Sequence, residues 1–265
     1  MTDHIKFSVA DGVGRLLFNR PEVLNALSPD MAHDLVDITL SLERDPAVRC
    51  VLIQGAGDNF MAGADVKGFH ADMTKDQAAY AAGLEQRVVN GHLAIHRLRR
   101  MPKPVLVCVQ GAAVGFGLSL VTAADLAIAA DDAVFSLAYR HIGLTADGGV
   151  SYFLPRIVGE RKAVEIALLG ERFTAQQALD WGLLNWLEPR ATLEERALKI
   201  ALKLAQGPTL ALGGAKRLFR NSLDHSWDQQ SVLEGESISA MAATADHREG
   251  VAAFIEKRKP QFVGR

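Results

Sequence analysis

Cysteine is scarce in this chain: 265 residues contain two, Cys50 and Cys108. Both sit inside apolar, strand-like runs, so buried free thiols of a reducing compartment fit better than a disulfide. Dense basic runs are missing too, and the formal net charge is −2, so the chain lacks the phosphate-binding surface of a nucleic-acid protein. No apolar stretch is long and uncharged enough to span a bilayer. The opening MTDHIKFSVADG has no basic segment leading into an apolar one, and so no visible signal peptide. Low-complexity segments and internal repeats are absent. These absences predict a soluble cytoplasmic protein with neither a nucleic-acid nor a membrane partner. What is present is a composition 49% hydrophobic, enough for a sizeable core in one large domain or two small ones.

Along the chain, Ile5 to Ala10 and Val13 to Phe18 flank the hairpin signal Asp11-Gly12. Ser28-Pro29 is an N-cap followed by proline at the first helical position. The helix it opens carries Leu35, Ile38 and Leu42 at helical spacing and stops near Asp45-Pro46. Val48 to Gln54 predicts a strand, and Phe60 to Lys67 a small-residue turn after it. A long helix is predicted from Asp72 to about Arg99, with Leu84, Val88, Leu93, Ile95 and Leu98 as its apolar stripe, closed by Pro102 and Pro104. Ala133 to Leu137 predicts another strand, Gly143 to Val150 a loop containing Asp147, and Ser151 to Gly170 a helix. From Thr192 to Phe254 the periodicity is only helical, broken at Gly207-Pro208 and around Ser226. Strand then helix, repeated, argues for an α/β core with parallel strands; the helical tail must bury its apolar faces on that core or on a neighbouring subunit.

One stretch organises the rest, KPVLVCVQGAAVGFGLSLVTAADLAIAADDAVF from Lys103 to Phe135. Val105 to Val109 reads as a strand buried on both faces. Gly111 and Gly115-Phe116-Gly117 break the run, and Leu118 to Ala124 is apolar enough for a buried helix. A strand, a tight glycine turn and a helix N-terminus together offer free backbone N–H groups at the positive end of a helix dipole. Glycines there let a substrate oxygen approach the main chain, the arrangement that holds a developing oxyanion. The same glycines equally suit close helix–strand packing alone.

The motifs Phe60-x-x-Gly63-Ala64-Asp65-x-Lys67, Lys103-Pro104-Val105, Gly111-x-x-x-Gly115-x-Gly117 and Ala124-Asp125-Leu126-Ala127-Ile128-Ala129, in this order, resemble the crotonase (enoyl-CoA hydratase/isomerase) family. Ile142-Gly143-Leu144-x-x-Asp147, Leu154-Pro155-Arg156-x-Val158-Gly159, Ala178-x-x-Trp181-Gly182-Leu183 and the ending Arg248-Glu249-Gly250-x-x-Ala253-Phe254-x-x-Lys257-Arg258 extend the likeness over nearly the whole chain. Within the family, the segment from Ile142 to Gly159 and the C-terminus look most like the phenylacetate-pathway isomerases. The resemblance implies an α/β fold, a spiral of repeated β-β-α turns over residues 1–190, with a helical C-terminal trimerisation region over 191–265. It also implies a homotrimer or hexamer, an acyl-CoA thioester substrate, and no cofactor beyond the coenzyme A of that substrate. The thioester oxygen would rest between the backbone N–H groups of Ala64 and Phe116.

Family hydratases carry two glutamates, whose positions here are Ser119 and about Tyr139, both non-acidic. Asp147 matches the base of the phenylacetate-type isomerases, and a carboxylate in an apolar pocket has a raised pKa suited to moving a proton between carbons. Its alternative role is to cap the helix that follows. Ser119 is a candidate for the pocket, with bonding to its own helix backbone as the alternative. His92-x-x-x-His96 with Tyr139-x-x-Ile142-Gly143-x-x-x-Asp147 also resembles the 4-chlorobenzoyl-CoA dehalogenases, in which an aspartate attacks the ring and a histidine activates water; Asp147 and His92 fall on those positions. As a metal pair, His92 and His96 lack a completing carboxylate, and no metal is expected. For the coenzyme A end, the resemblance points to Leu24, Ala26, Ala62, Asp65 and Val66, and to Phe254 and Lys257 from a neighbouring subunit; for Lys257 the alternative is a solvated helix face. Met61, Phe69, Leu84, Val88, Phe116 and Tyr139 are candidates for the pocket wall. Beside an isomerase, the chain leaves open a hydratase, a hydrolytic dehalogenase or thioesterase, and a non-catalytic CoA-thioester or RNA binder.

Overall fold

The structure, a computed structural model, describes residues 2–265. It begins with the expected hairpin, β1 (Ile5–Ala10) and β2 (Val13–Phe18), antiparallel and joined at Asp11 and Gly12. Both turn residues have positive φ, 51° and 79°, as a type I′ turn requires. Helix α1 (Pro29–Arg44) starts where Ser28 accepts a hydrogen bond from the Met31 N–H at 3.2 Å. It buries Leu35, Ile38 and Leu42 as the spacing predicted. After β3 (Cys50–Gly55) come α2 (Val66–Lys75) and α3 (Gln77–Arg100).

The single long helix expected over 72–99 is therefore two. Asp76 breaks it, accepting from the N–H groups of Ala78 and Ala79 at 2.9 and 3.0 Å as the N-cap of α3. Its buried row is Gly91, Ala94, Ile95 and Leu98, while Leu93 is exposed, so Leu93 does not belong to the apolar stripe.

The remaining chain runs β4 (Val105–Val109), β5 (Ala112–Val114), α4 (Phe116–Ala123), β6 (Leu126–Ala130), β7 (Val134–Ser136), α5 (Val150–Val158), α6 (Glu160–Leu169), β8 (Phe173–Thr174), α7 (Ala175–Asp180), β9 (Trp186–Glu188), α8 (Arg190–Ala205), α9 (Thr209–Asn221), α10 (Trp227–Ala242) and α11 (Ala245–Ile255). Gly159 divides the helix predicted from Ser151 to Gly170. Thr244 caps α11, a break in the tail that the periodicity did not reveal.

The strands form a six-stranded sheet in the order β1-β2-β3-β4-β6-β9 and a three-stranded sheet in the order β5-β7-β8. Beyond the first hairpin, every pairing in the larger sheet is parallel. Two successive turns of the chain give one strand to the large sheet, the next to the small one, and then a helix: β4, β5, α4, and again β6, β7, α5. This is the spiral of repeated β-β-α turns. Strands β3 and β4 are buried on both faces, which explains their unbroken apolar runs. Cys50 and Cys108 are free and buried in that sheet, and burial pushes both thiols up to about 12.

Helix α8 lays its buried residues Leu193, Ala197, Ala201 and Ala205 across the large sheet, so the helical tail begins as part of the core. Helix α9 is pinned to the core by charge. Asp125 accepts from Lys216 Nζ at 2.8 Å, Arg220 Nε at 2.7 Å and the Val105 N–H at 2.8 Å. Further out, Phe219, Trp227, Ile238 and Phe254 expose large apolar surfaces. Among the described residues, no helix is long and apolar enough to cross a membrane.

Candidate active site

Two backbone turns, distant in sequence, meet beside β5. Isolated bridges pair Met61 with Ala113 and Leu27 with Ala64, so the segment after β3 runs alongside β5. Leu27 donates to the Gly63 carbonyl at 2.7 Å, and the Asp65 N–H donates to the Leu27 carbonyl at 3.2 Å. Successive residues of an extended segment direct their peptide groups to opposite sides. With Gly63 and Asp65 bonded to Leu27, the Ala64 N–H is aimed away from it, and no acceptor among the described residues takes it.

Phe116 is the first residue of α4, where an N–H has no partner in the helix; Ser119 is the first to close onto the turn, donating to Gly115 at 3.1 Å. Ala64 and Phe116 both line one cavity of about 500 Å³, and the Phe116 amide stands at the positive end of the α4 dipole. The Phe116 ring turns into the core against α3, where Gly91 makes room: a Cβ there would lie 3.0 Å from the ring.

Asp147 lines the same cavity. Its carboxylate does not cap α5, whose N-cap is Gly149 without a side-chain bond. Instead Oδ1 accepts from the Tyr139 hydroxyl at 2.6 Å. Burial holds the Asp147 pKa above the ordinary carboxylate value, while the Tyr139 hydrogen bond and the nearby His92 pull it back in part. Among the described residues, Asp147 is the only carboxylate on the cavity wall.

Ser119 is fully buried and donates to the Asp147 carbonyl at 2.9 Å, so it steadies the loop backbone rather than presenting a base. His92 also reaches the cavity, and its Nε2 accepts from the Gly148 N–H at 3.2 Å. His96, one turn on, contacts Arg100 at 3.2 Å and shares no site with it. Among the described residues, no three His, Cys, Asp or Glu side chains are grouped to hold a metal.

Phe69, Leu84, Val88, Phe116 and Tyr139 form part of the cavity wall. Met61 does not; it is fully buried beneath, its carbonyl 2.5 Å from where a Cβ on Gly117 would lie. Of Tyr139, Arg140 and His141, the first and last line the cavity, while Arg140 instead donates to the Leu168 and Leu169 carbonyls at the end of α6.

Ala62 and Val66 lie on the cavity wall. Asp65 caps α2 by accepting from Gly68 at 3.1 Å and faces Arg20 at 3.4 Å. Leu24 and Ala26 lie behind: the Leu24 carbonyl accepts from the Ala62 N–H at 3.0 Å, and the Ala26 carbonyl from Arg20 at 2.8 Å. A single chain does not bring Phe254 or Lys257 to the cavity. Phe254 is 86% exposed and borders a separate groove with Leu210, Met241 and Phe262.

A family profile described as enoyl-CoA hydratase/isomerase matches residues 8–265. The chain is 37% identical to 1,2-epoxyphenylacetyl-CoA isomerase of Escherichia coli (strain K12), over all of both sequences. It is 31% identical to 4-chlorobenzoyl coenzyme A dehalogenase-2 of an Arthrobacter species, with 96% of this chain and 91% of that protein covered. The fold superposes with a TM-score of 0.90 on the crystal structure of an enoyl-CoA hydratase from Polaromonas sp. JS666, at 32% identity and covering 97% of this chain and 99% of that one.

Proposed function

The chain belongs to the enoyl-CoA hydratase/isomerase family, and within it we propose an acyl-CoA isomerase with Asp147 as its proton-carrying base. The observation that carries this is that, among the described residues, Asp147 is the only carboxylate on the wall of a cavity also lined by Ala64 and Phe116, whose amides have no acceptor among those residues. Hydration by paired glutamates needs two acids; a double-bond shift needs one base that takes a proton and gives it back.

In this mechanism the thioester oxygen accepts from the Ala64 and Phe116 N–H groups. The Asp147 carboxylate removes a proton from a carbon conjugated with the thioester. The C–H electron pair moves toward the carbonyl, and the negative charge settles on the oxygen held by the two amides. The protonated Asp147 then returns the proton to a different carbon, and the double bond has moved. Removing one such donor typically costs ~10²–10³ in rate. The coenzyme A belongs to the substrate, and the reaction takes no other cofactor. The 1,2-epoxyphenylacetyl-CoA isomerase likeness makes a ring epoxide the second substrate class of this proposal.

A hydrolytic reaction through His92 is less favoured because its Nε2 is already engaged by Gly148. Self-association into a trimer or hexamer through the C-terminal helices is also part of the proposal, supported by exposed Phe219, Trp227, Ile238 and Phe254; sedimentation tests it. The activity is tested by incubating the protein with 3-enoyl-CoA, 2-enoyl-CoA and 4-chlorobenzoyl-CoA. Interconversion of the enoyl esters, lost in Asp147→Asn, is the expected result. Release of chloride or hydration of 2-enoyl-CoA as the dominant reaction, or tight binding without turnover, contradicts it.

A further inference from the structure

We infer that Tyr139 is a positioning residue: its hydroxyl fixes one carboxylate oxygen of Asp147 and leaves the other, Oδ2, as the single oxygen that carries the proton. The inference rests on the isomerase proposal above and names a residue that the one-base mechanism does not itself require.

Three independent features of the structure point the same way. The Tyr139 hydroxyl donates to Asp147 Oδ1 at 2.6 Å, a short charge-assisted bond, whereas no donor among the described residues reaches Oδ2. The tyrosine ring also flanks the oxyanion turn, since a Cβ on Gly115 would lie 3.9 Å from its Cε2. One side chain thus stands beside the residue before the Phe116 amide and bonds the base at its other end. Finally, the backbone spends strain to put it there. Ala138, immediately before it, adopts a left-handed conformation at φ 49°, unusual for a residue with a side chain. Tyr139 is then held at both ends, its N–H donating to Leu137 at 2.6 Å and its carbonyl accepting from Leu144 at 3.1 Å.

The bond has a chemical consequence as well as a geometric one. A hydroxyl that donates to a carboxylate favours the charged form and opposes the effect of burial. Burial and the adjacent Asp147 charge push the phenol far above its ordinary value, so Tyr139 remains a donor throughout the working range. The other groups facing Asp147 are His92 from α3, Ser119 from α4 through the Asp147 carbonyl, and His141 and Arg87 elsewhere on the cavity wall. None of these donates to the carboxylate oxygens.

The test is the pH dependence of kcat/KM for enoyl-CoA isomerisation in the wild type and in Tyr139→Phe. The expected result is a kcat about tenfold lower with little change in KM. The acid limb should move to higher pH by about one unit, as loss of a hydrogen bond to a charged group implies. A lower kcat with the limb unmoved would mean that the ring merely packs, and it overturns the inference. Should Tyr139→Phe not fold, 3-fluorotyrosine at position 139 keeps the shape and strengthens the donor; the limb should then move to lower pH, and an unmoved limb overturns the inference. Asp147→Asn run alongside separates the two levels. Activity retained there defeats the isomerase proposal, whereas activity lost there with an unmoved Tyr139 limb defeats the Tyr139 inference alone.

Discussion

Gly63 and Gly115 pack main chain against main chain: a Cβ on Gly115 would lie 3.5 Å from the Gly63 Cα, and one on Gly63 would lie 3.1 Å from the Val114 carbonyl oxygen. Their φ values of 90° and 55° are ones that side chains resist. This contact holds the Ala64 and Phe116 amides on one cavity wall. Gly63→Ala should therefore separate the two donors at a stability cost on the order of 1–3 kcal/mol. Its kcat should fall ~10²-fold while the fold persists. Steady-state kinetics with circular dichroism on the same samples checks this.

Asp147→Asn should reduce isomerisation by ~10²-fold or more. The same variant should be no less stable at neutral pH, and an equal or higher Tm is expected. The sign follows from linkage. The folded pKa of Asp147 lies above the ordinary carboxyl value of 3.8, so the folded state binds more protons between those two values. Stability from this group is present below 3.8 and is lost as pH rises through the raised folded value. Asn removes a buried charge and can still accept from Tyr139. Urea unfolding of both proteins as a function of pH measures the difference.

His92→Gln should cost less than about tenfold in isomerisation, the scale of one neutral hydrogen bond, because the glutamine oxygen can accept from Gly148 as Nε2 does. Single turnover in heavy-oxygen water should leave Asp147 unlabelled by mass spectrometry. Label entering Asp147 would signal an ester intermediate and hydrolytic chemistry.

Asp125 joins three donors from two parts of the chain, Lys216, Arg220 and the β4 backbone. Asp125→Ala leaves two cations stranded beside the core and should destabilise the protein by about 3–5 kcal/mol. Burial holds Lys216 down to about 8 even with its partner present, so the loss should be smaller at high pH, where that lysine releases its proton. Chemical denaturation at pH values on either side of that figure checks both the size and the trend.

The hairpin, α1, the parallel strands and the Ser28 cap were legible because each carries a local signal that tertiary contacts reinforce. Strand β5 was not, because Ala112–Val114 is three residues between glycines, too short for any period. The α3 stripe misled at Leu93 because the truly buried row includes Gly91 and Ala94, small residues that give little hydrophobic signal but admit the Phe116 ring. Asp76 lies inside the segment predicted as one helix and is the N-cap of α3. The site itself is spread over positions 64, 116 and 147, which no spacing connects; only the order of motifs brought them together in the sequence. The Tyr139–Asp147 bond was hidden further, since it depends on the left-handed turn at Ala138.

The central claim is that Asp147 makes an enolate whose oxygen rests on the Ala64 and Phe116 amides. Its most direct test is exchange of the protons beside the thioester carbonyl of a saturated acyl-CoA in heavy water, followed by proton NMR. The account expects exchange with the wild type and none above background with Asp147→Asn. Exchange that persists at the wild-type rate in Asp147→Asn, or that the wild type fails to catalyse, would contradict it.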